Sequence, residues 1–248
     1  MMQFSLFEQI ALAIFLLSGI SFFLYHLLLR LKIILKGKSD FSIDQLPKRI
    51  ARVFDEVILH KKVASGKRKS AGILHALVMY GFIFFGLITI NHFGMAFGLP
   101  IFSDSIRHAY FLFFGAPWAI LCSIGILGLA YRRFVIKPEA LGKFSSTSAI
   151  VSVFIVTLMV TYLIDEFHIL SGAAEKFNWW LHSGVIGGFL FLIPQSKHMH
   201  LVLSPFNIFL RPFEVPSHGA IPIDMEASEE ELDNFCLLYT SDAADEQD

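Results

Sequence analysis

The apolar stretch Trp179–Pro212, WWLHSGVIGGFLFLIPQSKHMHLVLSPFNIFLRP, carries His182, His198 and His200. Neutral imidazole is the commonest metal ligand among protein side chains. Ionisable groups at membrane depth cost free energy, and they usually face a bundle interior where they serve function. His182 and His200 lie eighteen residues apart. That is five whole turns of an ideal α-helix, so a continuous helix would point both imidazoles the same way. At ~1.5 Å per residue they are roughly 27 Å apart along the axis, close to the ~30 Å hydrocarbon thickness. The spacing predicts one helix face with a metal ligand near each side of a bilayer. The plainer alternative is a pair of interfacial histidines at the two ends of a span.

The elements that must position these rings follow from composition. The chain has 248 residues, 55% of them hydrophobic and 27 of them Phe, with a mean hydropathy of +0.62. An ordinary soluble domain is excluded, and an all-α polytopic membrane protein is expected. With a net charge of −1, no nucleic-acid partner is expected. Five spans are predicted, at about 7–35, 71–99, 105–131, 148–170 and 177–203. No cleavable signal peptide is read at the start, because the first apolar segment lacks a basic leader and runs on long enough to span. Gly81 and Gly86 would let a helix or a flat cofactor approach the second span closely, and Gly115 and Pro117 predict a kink in the third. The two cysteines, Cys122 and Cys236, form no CxxC motif, so neither a disulfide scaffold nor a cysteine-ligated cluster is expected within this chain.

Charge then fixes an orientation. Arg30 to Lys69 holds twelve Lys and Arg, the Arg107 loop one, Arg132–Lys143 four, the Lys176 loop one and the region after the fifth span two. Alternate sides therefore carry eighteen and two, which predicts the N-terminus outside and the C-terminus in the cytoplasm. Within the basic loop, PKRIARVFDEVILHKK has Ile50, Val53, Phe54, Val57 and Ile58 at helical spacing, as in a helix lying on the membrane surface. His60 at its end reads as a surface histidine, or alternatively as a residue near a cofactor edge.

This topology gives each histidine a depth. His75 and His200 fall near the inner face, and His92 and His182 near the outer. Two stacked sites, each with an imidazole from two facing helices, suit two b-type haems in a bundle core. Two axial imidazoles leave no open iron position, which favours electron transfer over oxygen chemistry. His75 and His92 differ by about 100° around an ideal helix, so His26 and His168 stand as substitutes for His92. Asp165, Glu166 and His168 could handle quinol protons at the outer end of the fourth span, or be ordinary interfacial polar residues.

On these residues the chain resembles the membrane cytochrome b subunit of respiratory nitrate reductase, the gamma subunit, and its relatives in heterodisulfide reductases. In that family five spans hold two haems b, with ligands from the second and fifth helices. The fifth-helix pattern reads here as Leu181-His182, then Pro194, Ser196, Lys197 and His200. The inner histidine of the second helix is matched by His75 in ILHALVMYGF. The family's outer ligand would fall ten residues later, at Phe85; His92–Met95, HFGM, is displaced outward from it by seven. The resemblance covers about residues 1–212. The segment LIPQSKHMHLVLSPFNIFLRP is similar to membrane-bound iron–sulfur oxidoreductases in which a cytoplasmic cluster-bearing part follows the last span.

What the resemblance implies is transmembrane electron transfer through two haems b in a prokaryotic inner membrane, as the electron-transfer part of a quinone-linked oxidoreductase. Combined with the depths above, His75 and His200 would hold the inner haem iron, and His182 and His92 the outer. The expected partners are quinone or quinol in the lipid bilayer and a cytoplasmic iron–sulfur or flavoprotein electron donor. The alternative is a non-redox transporter or assembly scaffold, but no repeat and no charged pair at mid-depth speaks for it. Residues 1–212 form the membrane domain, 213–235 an acidic linker, and 236–248, CLLYTSDAADEQD, read as the translation of a transposon-type sequencing-library adapter. The genuine chain is expected to continue into a cysteine-rich region carrying [4Fe–4S] clusters.

Overall fold

The computed structural model describes residues 4–34, 45–61, 69–138, 141–142, 144–211 and 213. Apart from Phe213, the expected linker over 213–235 and the tail over 236–248 lie outside the described residues. Every regular element among the described residues is helical. Helix α1 spans Leu6–Ile34, and the short α2, Leu46–Val53, runs on into a π-helical turn at Phe54–Ile58. Helix α3 spans Lys69–Ala96. Helix α4 is the run Asp104–Ile136, with π-helical turns at Phe111–Gly115 and Arg132–Ile136. Helix α5 spans Ser146–Glu166, α6 Ala173–Leu192 and α7 His200–Leu210.

Local chemistry sets the ends. Glu8 accepts from the Ser5 amide at 2.8 Å while the Ser5 hydroxyl accepts from the Glu8 amide at 3.3 Å, a reciprocal cap that starts α1. The Ser103 and Ser145 hydroxyls accept from the amides of Ile106 and Ser148 and start α4 and α5. Among the described residues, four helices are long and apolar enough to cross a membrane: α1, α3, α4 and α5. Large apolar side chains such as Phe7, Ile14, Leu17 and Phe113 stand exposed along them, as lipid-facing surface requires. This is compatible with a multi-pass membrane protein.

The fifth predicted span differs from its expectation. The helix expected over 177–203 ends at Leu192, where 3-10 turns at Ile193–Gln195 and Lys197–Met199 intervene before α7 begins at His200. Pro194 has no N–H to continue the ladder. Ser196 is extended at φ −129° and ψ 168°, and its hydroxyl accepts the His198 amide at 3.3 Å. Arg30 of α1 donates to the Pro194 carbonyl at 2.5 Å, satisfying an acceptor at the break. His182 and His200 therefore sit on different elements and share no helix face. Glu175, Lys176 and Asn178 in its opening turns make α6 more polar than the four apolar helices, although its 20 residues would rise ~30 Å.

Three interhelical contacts hold the bundle around the histidines. A Cβ on Gly81 of α3 would meet Cys122 Sγ of α4 at 2.8 Å, so glycine is what allows the two backbones to close up there. Gly86, expected to serve the same purpose, faces open space. Between α4 and α5 the core is Phe111, Ala119, Cys122, Met159 and Tyr162. At the end of the bundle where α3 begins, α2 docks on the C-terminus of α7. Arg49 donates to the Phe209 carbonyl at 2.8 Å and Arg52 to the Arg211 carbonyl at 2.6 Å, while Arg211 pairs with Glu56. Guanidinium groups there satisfy carbonyls that a helix end leaves open.

Candidate cofactor-binding histidine pairs

His75 lies in the second turn of α3 and His92 near its far end, so the two are ~26 Å apart at ~1.5 Å per residue. The structure brings each to a different partner. The His75 and His200 ring centroids are 6.2 Å apart, and those of His92 and His182 are 5.0 Å apart. The break between α6 and α7 is what permits this. Because His182 and His200 leave their chain on separate elements, the two histidines of α3 need not share one face. His26 lies on α1, ring to ring with Phe22 and Tyr25, and His168 is exposed with φ 52°.

Hydrogen bonds select tautomers in this cluster. A carbonyl can only accept, so His200 donates Nδ1–H to the Lys197 carbonyl at 2.9 Å and keeps a bare Nε2. The Thr161 hydroxyl donates to the Thr157 carbonyl at 2.6 Å and so accepts His182 Nδ1–H at 2.7 Å. His182 Nε2 is likewise bare. Nδ1 tethered and Nε2 free is the arrangement in which a histidine serves a metal. His92 is different: its Nε2 meets the Ser183 hydroxyl at 2.9 Å, and its ring lies flat on Trp179 at 4.7 Å and 14°. His75 Nδ1 is buried and has no partner. His198 lies in the turns beyond α6, where burial first, then His200 and Lys197, push its pKa down to about 4, so its ring is neutral at physiological pH.

Two imidazoles on opposite sides of a metal, each bonded at ~2 Å, have centroids roughly 6 Å apart. The His75–His200 pair, at 6.2 Å, fits a metal held between its rings. The His92–His182 pair, at 5.0 Å and with His92 Nε2 engaged by Ser183, offers His182 as a ready ligand and His92 only after its ring moves. No group of three or more metal-binding side chains occurs among the described residues.

Two features gave little sequence signal. His60, expected as a surface histidine or as a residue near a cofactor edge, is 6% exposed, with its ring 5.6 Å from that of His75. Its position depends on α2 docking across the bundle end, which local periodicity does not reveal. The second is a cavity of about 380 Å³ at the His92/His182 end, lined in part by Asn91, Arg107, Tyr110, Asp165 and Glu166. Arg107 pairs with Glu166 at 3.1 Å, while its buried Nε has no partner. Asp165 and Glu166, both half-buried, line this cavity.

Over the described residues, fold and site together define an all-helical bundle with membrane-length apolar helices and imidazole pairs at the two ends of one of them. The chain is 30% identical over 222 residues to the probable iron-sulfur-binding oxidoreductase FadF of Bacillus subtilis, covering 77% of this chain and 31% of that protein. It is 22% identical over 262 residues to the EtfAB:quinone oxidoreductase of Syntrophomonas wolfei, covering 87% of this chain and 35% of that protein. The chain thus spans about a third of the length of these curated relatives. Both are named as oxidoreductases, and neither name refers to a nitrate reductase gamma subunit or a heterodisulfide reductase. No family model and no solved structure matches the chain.

Proposed function

We propose that this chain carries electrons across a prokaryotic inner membrane through two b-type haems, between quinone and a cytoplasmic iron–sulfur or flavoprotein partner. The observation that carries the proposal is the pairing itself: each end of α3 presents a histidine to an imidazole from the α6–α7 segment, at 6.2 Å and 5.0 Å. Haem b, when bound, supplies a one-electron couple with no open coordination position between two imidazoles. His75 and His200 would hold the cytoplasmic-side haem, and His182 with a reoriented His92 the other. Thr161 and the Lys197 carbonyl set the tautomers that leave Nε2 bare. In the proposed topology α6 completes a five-helix bundle with the basic Arg30–Lys69 loop in the cytoplasm.

The names of the relatives support the exchange partners, one being called iron-sulfur-binding and the other a quinone oxidoreductase. Within this chain the quinone is assigned to the 380 Å³ cavity beside His92 and His182. Arg107 Nε would donate to a quinone carbonyl, and Glu166 and Asp165 would accept protons released from quinol. Clusters of [4Fe–4S] type would belong to a downstream region of a longer chain, as the partial coverage of both relatives suggests. His200→Ala should remove one component of the reduced-minus-oxidised visible spectrum, and His182→Ala the other. Full haem content in both variants would refute the ligand assignment.

A further inference from the structure

The inner imidazole cluster holds one member that the proposed function does not use. His60 is buried, adopts the left-handed conformation at φ 50°, and stands 5.6 Å from His75 with the ring planes inclined at 29°. A non-glycine residue in that conformation is uncommon. Several contacts fix it there. Its Nδ1 donates to the Val57 carbonyl at 2.6 Å, and Tyr80 of α3 donates to the Ile58 carbonyl at 2.5 Å. Arg49 and Arg52 pin the preceding helix to α7. In the neutral ring, with the proton on Nδ1, His60 offers Nε2 as an acceptor inside the bundle.

On the other side of the gap, His75 Nδ1 is buried with no hydrogen-bond partner. A metal-ligating imidazole almost always donates its second ring N–H to an acceptor, which orients the ring and raises its basicity. Two imidazoles joined in plane by an N–H···N bond of ~3 Å have centroids roughly 5.3 Å apart. The observed centroid separation of 5.6 Å is close to that spacing, with the ring planes inclined at 29°. His200 cannot take this role, because it faces His75 as the second ligand and its own Nδ1–H is given to Lys197.

We propose that His60 is a positioning residue for His75: its Nε2 accepts the Nδ1–H of His75 when His75 holds the iron, so a loop on the cytoplasmic side tunes the inner couple. The inference rests on the haem reading given above. The test uses the full chain in membranes, with His60→Phe filling the volume without an acceptor and His60→Gln restoring one. The readouts are haem content, the midpoint potentials of the two components, and the low-spin ferric signal by electron paramagnetic resonance. His60→Phe should favour the reduced form of the His75/His200 component by about tenfold, which is ~59 mV upward for a one-electron couple. His60→Gln should return it close to wild type, and the His182 component should not move in either variant. An unchanged inner midpoint in His60→Phe would overturn the proposal, as would equal shifts in both variants, which would indicate packing alone. Wild-type protein without haem would overturn the underlying haem reading instead, and would be seen before any variant is made.

Discussion

Thr161→Val tests how His182 is held. The two side chains are nearly isosteric and Thr161 is buried, so the substitution removes a hydroxyl and little else. That hydroxyl receives His182 Nδ1–H at 2.7 Å. The Asn178 side chain, which donates to the Thr161 carbonyl at 2.9 Å, keeps its bond in the variant. A buried imidazole N–H left unpaired costs ~1–3 kcal/mol, and ~1.4 kcal/mol is tenfold in an equilibrium constant, so cofactor retention at His182 should weaken roughly 5–150-fold. Loss of an outer-shell partner at metal-bound histidines typically costs ~10–100-fold, the same range. The assay is haem titration into haem-depleted membranes, following the component that His182→Ala abolishes. Thr161→Ser keeps the acceptor and should bind as wild type does. A Thr161→Val protein with affinity and midpoint within about twofold of wild type would show that Thr161 does not orient the ligand.

Three further outcomes follow. Gly81→Val should lower the thermal stability of detergent-solubilised protein by ~1–3 kcal/mol, because its Cβ would meet Cys122 Sγ at 2.8 Å, and Cys122→Ala should recover part of the loss; an unchanged melt would contradict the close α3–α4 approach. Arg107→Gln should weaken binding of a quinone analogue by about tenfold or more with haem content unchanged, and undiminished binding would move the quinone elsewhere. Reporter fusions after Lys69 and Arg133 should signal cytoplasm and those near Ser103 and Ala174 the outside, so a cytoplasmic signal at Ser103 would overturn the orientation.

The apolar runs made the long helices legible. Their ends move by a few residues because Ser103 and Ser145 are specific caps, and such caps set boundaries that hydropathy blurs. Pro194 was visible in the sequence, yet proline is tolerated in membrane helices, so the run read as continuous. The helix ends at Leu192 before Pro194, the chain turns out at the extended Ser196, and what satisfies the break is Arg30, 164 residues away in sequence; no local pattern carries that contact. The ~100° offset between His75 and His92 looked like an obstacle to pairing only while His182 and His200 were placed on one face. His60 was obscured for a similar reason, since its burial depends on Arg49 and Arg52 finding the carbonyls at the end of α7. The cavity at Arg107 and Glu166 joins residues from α4 and α5 that sequence separates by 59 positions.

The most direct measurement is haem stoichiometry in the purified membrane protein, taken with its oxidised and dithionite-reduced visible spectra. Two b-type haems per chain are expected, both low-spin and bis-imidazole, titrating as two components of different midpoint because the His75/His200 and His92/His182 surroundings differ. A chain that binds no haem, with a flat difference spectrum, would contradict the account.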